Sequence, residues 1–226
     1  MRVRLSGAVL FDYHGLKITW LGHDSFQIKN GKTIIIDPFK LRSVPGKADI
    51  LLISHEHFDH LSLDDIKKVA SEKTTIVTIA AVKKELSGLK VHEVKAAKPG
   101  DKVQVGDVSI DLVPAYNTNK FREPGKVFHP KEDGRVGFVI GVKGVRVYHA
   151  GDTDAVPEMK GLKPDVALLP VSGTYVMTAE EAAEAAKIVE PKIAIPMHYG
   201  AIVGSEKDAQ RFKQLATCQV QILNPE

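Results

Sequence analysis

A second cysteine, a long apolar run and an excess of one charge are all missing from this 226-residue sequence. Cys218 has no partner for an intrachain disulfide and sits in no metal or redox motif, so it reads as an ordinary thiol in a reducing cytoplasm. No run reaches the roughly 18 apolar residues of a membrane-crossing helix, so no membrane span is expected. The basic, partly apolar start at residues 1–11 is broken by Asp12 and His14 before a secretory apolar segment reaches full length, and no signal peptide is expected. Lys and Arg number 31 against 28 Asp and Glu, with no basic block, which gives no support for a nucleic-acid or anionic-membrane partner. Neither an internal repeat nor a low-complexity tract is visible in the sequence.

What is present has globular proportions. Hydrophobic residues are 43% and charged residues 26% of the chain, which excludes disorder and fibrous architectures. Short β-type runs fill the first part, at 16–21, 25–29 and 33–36, and Asn30-Gly31 between the last two is a hairpin signal because both residues tolerate positive φ. Residues 49–54 form an almost wholly apolar run, as expected of a strand covered on both faces. A helix capped by Ser62 is expected over 62–70, and further strands at 75–79, 108–113, 136–142 and 145–149. The second half alternates: strand 165–169, helix 179–189 with the capping box Thr178/Glu181, strand 193–196, helix 205–215 and strand 219–223. Strands first and alternating helices later point to one α/β domain over 1–226 with helices packed on two sheets. The loosest stretch is 117–134.

The buried run at 49–54 empties into Ser54-His55-Glu56-His57-Phe58-Asp59-His60, three histidines and two acids in six positions. Imidazole and carboxylate are the ligands of a borderline divalent ion such as zinc. The 1,3 spacing of His55 and His57 can aim both at one ion, while Asp59 and His60 can face a second.

This H-x-H-x-D-H pattern after a buried strand resembles the metallo-β-lactamase superfamily. Other matching segments are Ile36-Asp37-Pro38, Ala150-Gly151-Asp152-Thr153 and Ile195-Pro196-Met197-His198. With Trp20-Leu21-Gly22-His23-Asp24-Ser25-Phe26 and Pro170-Val171-Ser172-Gly173-Thr174-Tyr175, the chain is similar to the branch holding ascorbate-6-phosphate lactonase-like and N-acylphosphatidylethanolamine phospholipase D-like hydrolases. The likeness runs from about residue 16 past His198 and leaves residues 1–15 outside. It implies a four-layer αββα sandwich of two mixed β-sheets, one or two divalent ions (zinc first, manganese or iron next), and hydrolysis of an ester, lactone or phosphodiester by a metal-activated water. The substrate is expected to be a small anionic molecule, and a homo-oligomer is left open.

Carried over by position, one ion takes His55, His57 and a third histidine, the other takes Asp59, His60 and His198, and Asp152 bridges. The third histidine is expected after the strand at 108–113, where Asn117 stands instead. Three outcomes follow: Asn117 is a weak ligand, His129 folds back into the position, or one ion alone is held tightly. Asp59 and Asp152 are expected to hold the attacking water, Tyr175 to stabilise a developing oxyanion, and Asp37 and His23 to support the ligands from behind. His149 reads as a hydrogen-bonded core residue. An excess of Lys120, Arg122, Lys126, Lys131 and Arg135 over nearby acids suits a phosphate or carboxylate substrate, and a solvated loop explains it equally well. Two other functions carry different chemistry: a non-catalytic metal-binding module, and an iron-dependent redox protein on the same fold.

Overall fold

The computed structural model describes residues 9–226, so the first part of the N-terminal extension, residues 1–8, lies outside the described residues. In chain order, β1 (Leu10–Tyr13), β2 (Leu16–Gly22), β3 (Ser25–Asn30) and β4 (Lys32–Ile36) form an antiparallel meander. Parallel strands β5 (Ile50–Leu52), β6 (Thr75–Thr78) and β7 (Glu93–Ala96) extend it to seven strands, with α1 (Leu63–Val69) and α2 (Ala80–Glu85) as crossovers. The chain then enters a second seven-stranded sheet through β8 (Lys102–Val105) and β9 (Val108–Pro114), leaves it for a small hairpin, β10 (Phe121–Glu123) and β11 (Lys126–Val127), and returns as β12 (Val136–Val142) and β13 (Val145–His149). Parallel strands β14 (Val166–Pro170), β15 (Ile193–Met197) and β16 (Gln219–Val220) complete it, with α3 (Ala179–Val189) and α4 (Glu206–Leu215) between them.

The result is the expected four-layer αββα sandwich. Both sheets contribute to one continuous apolar core, in which the central strands β5, β14 and β15 are buried throughout. The run Ile34-Ile35-Ile36 is buried on both faces, as a strand covered by helices and by a second sheet must be. On α3 the buried positions are Ala179, Ala182, Ala183, Ala185, Ala186 and Val189, small residues that let the helix lie close to the sheet. Its capping box, Thr178 with Glu181, is present as the sequence implies.

Several elements depart from the sequence expectation. Strand 49–54 is regular only over Ile50–Leu52, and the last strand only over Gln219–Val220. The stretch 117–134 is not structureless: it holds β10, β11 and a 3₁₀ turn, Lys131–Asp133. β7 and β8 are sheet edges with charged, half-exposed sequences (EVKA and KVQV), which carry little of the signal that buried strands give. β1 also extends regular structure beyond the expected limit at residue 16.

The two sheets repeat one plan, four antiparallel strands followed by three parallel ones, although the sequence shows no repeat. In each, carboxyl ends of strands emerge at one shared edge of the sandwich. The segments after β2, β4, β5, β9, β13, β14 and β15 are therefore neighbours.

A candidate metal centre at the sandwich edge

Those segments deliver His23 and Asp24 after β2, Asp37 after β4, the histidine motif after β5, Asn117 after β9, Asp152 after β13, Ser172 after β14 and His198 after β15. Two close approaches set the backbone. A Cβ on Gly137 of β12 would lie 2.5 Å from the carbonyl oxygens of His149 and Ala150, and one on Gly151 would lie 2.8 Å from that of Val136, so glycine at both positions lets the Asp152 segment lie against β12. Gly151 also has φ +65°. Four residues of the edge are left-handed without being glycine: His23 (φ 53°), Asp37 (41°), Tyr175 (68°) and His198 (59°). Such backbone is costly and persists where the surroundings impose it, commonly at functional sites.

Ligand-type atoms gather in overlapping groups. His55, His57, His129 and Asp152 place one such atom each within 4.8 Å of one another, as do His23, Asp59, His60 and His198, and Asp24, His60, Asp152 and His198. His129 thus stands with His55 and His57, its Nε2 lying 3.3 Å from His57 Nδ1 and 3.2 Å from Asp152 Oδ2. Asn117 does not fit as a ligand. Its Oδ1 accepts from His129 N–H (3.0 Å) and from His129 Nδ1 (2.8 Å), and its Nδ2 donates to Tyr175 O (2.9 Å) and Asp154 Oδ1 (3.3 Å). With all its polar capacity turned to the loop, the amide holds the histidine instead of replacing it.

The tautomers follow from these partners. His129 Nδ1 faces an amide oxygen and His60 Nδ1 faces Asp37 Oδ2 at 2.8 Å, so each nitrogen carries a proton and donates it. Ser54 Oγ gives its hydrogen to Asp37 Oδ2 (2.6 Å) and so accepts from His55 Nδ1 (3.0 Å). Ser172 Oγ, which donates to Thr174 O, accepts from His198 Nδ1 at 3.0 Å. Four rings therefore have Nδ1 engaged outward and Nε2 directed inward. His60 Nε2, His198 Nε2, Asp152 Oδ1 and both oxygens of Asp24 are buried without a hydrogen bond among the described residues. Converging, unpartnered imidazole and carboxylate atoms are costly without a cation, and the residues present fit a divalent metal.

Electrostatics divide the edge in two. Burial holds His55 well below its usual range, reinforced by His60, and burial with the nearby Arg135 lowers His57 to about 4. Burial works against charge on His60 and His198 too, but Asp152 and Asp37 raise His60 well above its usual range, while Asp152 and Asp24 raise His198 to about 9. Burial likewise opposes ionisation of Asp59 and Asp152. The hydrogen bond from His23 Nε2 (3.0 Å) outweighs it at Asp59, lowering that group to about 2, and His198 and His60 keep Asp152 well below the usual carboxylate range.

Other residues brace the centre, and the supporting roles of Arg135 and Asp154 carry no signal in the sequence. Arg135 is buried: its Nη1 donates to Phe128 O (3.1 Å) and its Nε to Glu56 Oε1 (3.1 Å), tying the His129 loop to the histidine motif. Asp154 accepts from Thr118 N (2.6 Å) and Asn119 N (3.0 Å). His149 is buried as expected, with Nδ1 accepting from Gly151 N, so Nε2 donates to Asp24 O at 2.8 Å. The loop cations do not collect at the mouth: Lys120 pairs with Glu181, Lys126 with Glu123, Lys131 with Glu158 and Arg135 with Glu56. None of these four, and not Arg122, is in the lining of the cavity over the centre.

A cavity of about 230 Å³ opens onto the centre, lined by His57, Asp59, His129 and Asp152 below and by Phe58, Phe128, Tyr175 and Ile202 around the rim. The Tyr175 ring meets Phe128 edge-on at 4.7 Å. Among the described residues no helix is long and apolar enough to cross a membrane.

Comparison with known proteins agrees with this geometry. A model of the beta-lactamase superfamily domain matches residues 17–198. A UPF0173 metal-dependent hydrolase of Methanopyrus kandleri is 34% identical over 211 residues, 88% of this chain and 90% of that protein. Among solved structures, a presumed metal-dependent hydrolase from Parabacteroides distasonis has a TM-score of 0.81 at 35% identity, covering 95% of this chain and 98% of that one. A metallo hydrolase from Ignicoccus hospitalis has a TM-score of 0.73 at 25% identity, covering 93% and 95%.

Proposed function

We propose that this chain, which belongs to the beta-lactamase superfamily and to its UPF0173 metal-dependent hydrolases, cleaves an ester, lactone or phosphodiester bond in a small molecule. The observation that carries this reading is the convergence of four inward-facing imidazole nitrogens with Asp59 and Asp152, where His57, His129 and both carboxylates line one cavity. His55, His57, His129 and Asp152 would hold one divalent ion, and Asp59, His60, His198 and the shared Asp152 the other. Bound there, such ions supply Lewis acidity, lowering the pKa of water from 15.7 toward about 7 and polarising the substrate oxygen.

The chain's own residues do the rest. Asp59, kept ionised by His23, accepts a hydrogen bond from the attacking water and fixes its direction. Asp37, Ser54, Ser172 and Asn117 keep the ring protons on Nδ1 and the Nε2 lone pairs directed at the ions. Phe58, Phe128 and Ile202 exclude water around an apolar part of the substrate. Tyr175 offers a hydroxyl at the rim for charge that develops on the substrate oxygen. The cavity is below the roughly 300–1,000 Å³ of sites for drug-sized ligands, which favours a compact substrate. With no Lys or Arg in its lining, attraction for an anion would come from the ions themselves.

The test is a panel of nitrophenyl esters, lactones and bis-nitrophenyl phosphate, assayed with metal-free protein before and after reloading with zinc or manganese. Turnover of at least one class should appear on loading and vanish on exhaustive chelation. Hydrolysis that survives chelation would refute the mechanism.

A further inference from the structure

Asp24 belongs to this edge, yet it lies outside the ligand set just described. It is fully buried in the turn between β2 and β3, and among the described residues neither carboxylate oxygen has a hydrogen-bond partner. A carboxylate withdrawn from water in this way stays ionised only beside a cation. Its neighbours are imidazole nitrogens: Asp24 Oδ2 lies 3.5 Å from His60 Nε2 and 3.8 Å from both His198 Nε2 and His23 Nε2. These distances exceed the roughly 2.7–3.2 Å of a hydrogen bond. They fall within the span of two donors of one ion, between the roughly 3.0–3.4 Å of adjacent and the about 4.2 Å of opposite atoms each about 2.1 Å from a common centre. His60 Nε2 and His198 Nε2 are themselves unpartnered, and so is Asp152 Oδ1, 3.2 Å from His60 Nε2. The Asp24 backbone is fixed from behind, its carbonyl accepting from His149 Nε2 at 2.8 Å.

We propose that Asp24 is a direct ligand of the ion at His60 and His198, and that it makes this a site for a hard, six-coordinate divalent cation such as Mn²⁺ or Fe²⁺. The inference rests on the metal-dependent reading above. Around His60 and His198 the two overlapping groups together offer three carboxylates (Asp24, Asp59, Asp152), with His23 engaged by Asp59, whereas the neighbouring group offers three imidazoles and one carboxylate. Oxygen-rich sets with several donors suit manganese and ferrous ions, and the histidine-rich set suits zinc. Charge argues the same way. Three carboxylates against two divalent ions leave a net charge of one, where two would leave two, and burial penalises the larger value.

The experiment titrates metal-free wild type and Asp24→Asn with Mn²⁺, and separately with Zn²⁺, by calorimetry with elemental analysis of the products. Wild type should take up two Mn²⁺, and Asp24→Asn should bind one of them at least tenfold more weakly while its tightest Zn²⁺ site is unchanged. Unaltered Mn²⁺ affinity in a folded Asp24→Asn would overturn the assignment and leave the hydrolase reading standing. Should the variant fail to fold, anomalous scattering from Mn²⁺-loaded wild-type crystals decides. An Asp24 oxygen within about 2.5 Å of an ion supports the assignment, and a greater distance from every ion refutes it. Wild-type protein that takes up neither cation would overturn both this inference and the proposed function.

Discussion

Removing the amide of Asn117 tests whether His129 acts as a ligand because it is held. Asn117→Ala deletes the acceptor of His129 Nδ1–H and of His129 N–H, together with the donor to Tyr175 O and Asp154. The ring then loses the contact that fixes both its tautomer and its angle. Loss of such a supporting contact typically weakens metal binding 10–100-fold, which is about 1.4–2.7 kcal/mol. Because Asn117 is buried, the partners it leaves cost stability as well, about 1–3 kcal/mol for each unsatisfied group and less where the loop relaxes or water enters. The fold should survive such a loss if its stability is of the ordinary 5–15 kcal/mol. Competition between metal-free protein and a chromophoric chelator would read both affinities. The ion at His55 and His57 should weaken at least tenfold, and the ion at His60 and His198 should be almost unmoved. Asn117→His, which restores a histidine at the position the family pattern expects, should not tighten binding, since His129 already occupies that side of the site. If His129→Ala weakens one ion and Asn117→Ala weakens neither, the positioning argument is wrong.

His57→Ala should remove nearly all turnover while circular dichroism stays native, since the core is built from both sheets and not from the metal. Gly151→Ala places a side chain at φ +65°, costing about 1–2 kcal/mol before its clash with Val136 O is counted, and should lower the melting temperature and weaken both ions through Asp152. Arg135→Met frees Phe128 O and Glu56, and should cost about 1.5–3 kcal/mol by denaturant titration. Its coupling to Glu56→Gln in a double-mutant cycle should be measurable, and a coupling of zero would show that the tether to the His129 loop is not formed.

Legibility in the sequence followed burial and local order. The strands 136–142 and 145–149 and the helix 179–189 have the expected bounds because pattern, cap and core agree there. The edge strands β7 and β8 were illegible because their alternation, Glu-Val-Lys-Ala and Lys-Val-Gln-Val, lasts only four half-exposed residues and does not stand out from the surrounding polar chain. In the site, the residues of the histidine motif announce themselves by their spacing. His129 does not, because it reaches His57 across 72 positions through a loop whose length no periodicity fixes. Asn117 is visible as a departure from a pattern and His129 as one of three ways to meet it, but nothing in the spacing chooses among the three. Asp24 lies in the segment Trp20-Leu21-Gly22-His23-Asp24-Ser25-Phe26, but the sequence does not carry its surroundings: a carboxylate in a turn is ordinary until both its oxygens prove to be buried without donors among the described residues.

The repeated plan of the two sheets explains why so dispersed a set of residues meets at all. Each half ends its antiparallel strands and begins its parallel ones at the same edge, so strand ends from both halves face one cleft, and neither half alone carries a full set of donors. The first contributes the histidine motif, Asp24 and Asp37, the second His129, Asp152 and His198. Contacts between them are made by the turns with strained backbone: His198 N–H donates to His23 O at 3.1 Å, joining two left-handed histidines from opposite sheets. A hydrogen bond that locks one strained turn against another fixes both ring positions, and strain of this kind is maintained only by a complete fold. The centre is thus a property of the packed sandwich. Its geometry depends on the packing of sheet against sheet as much as on the residues that would touch an ion.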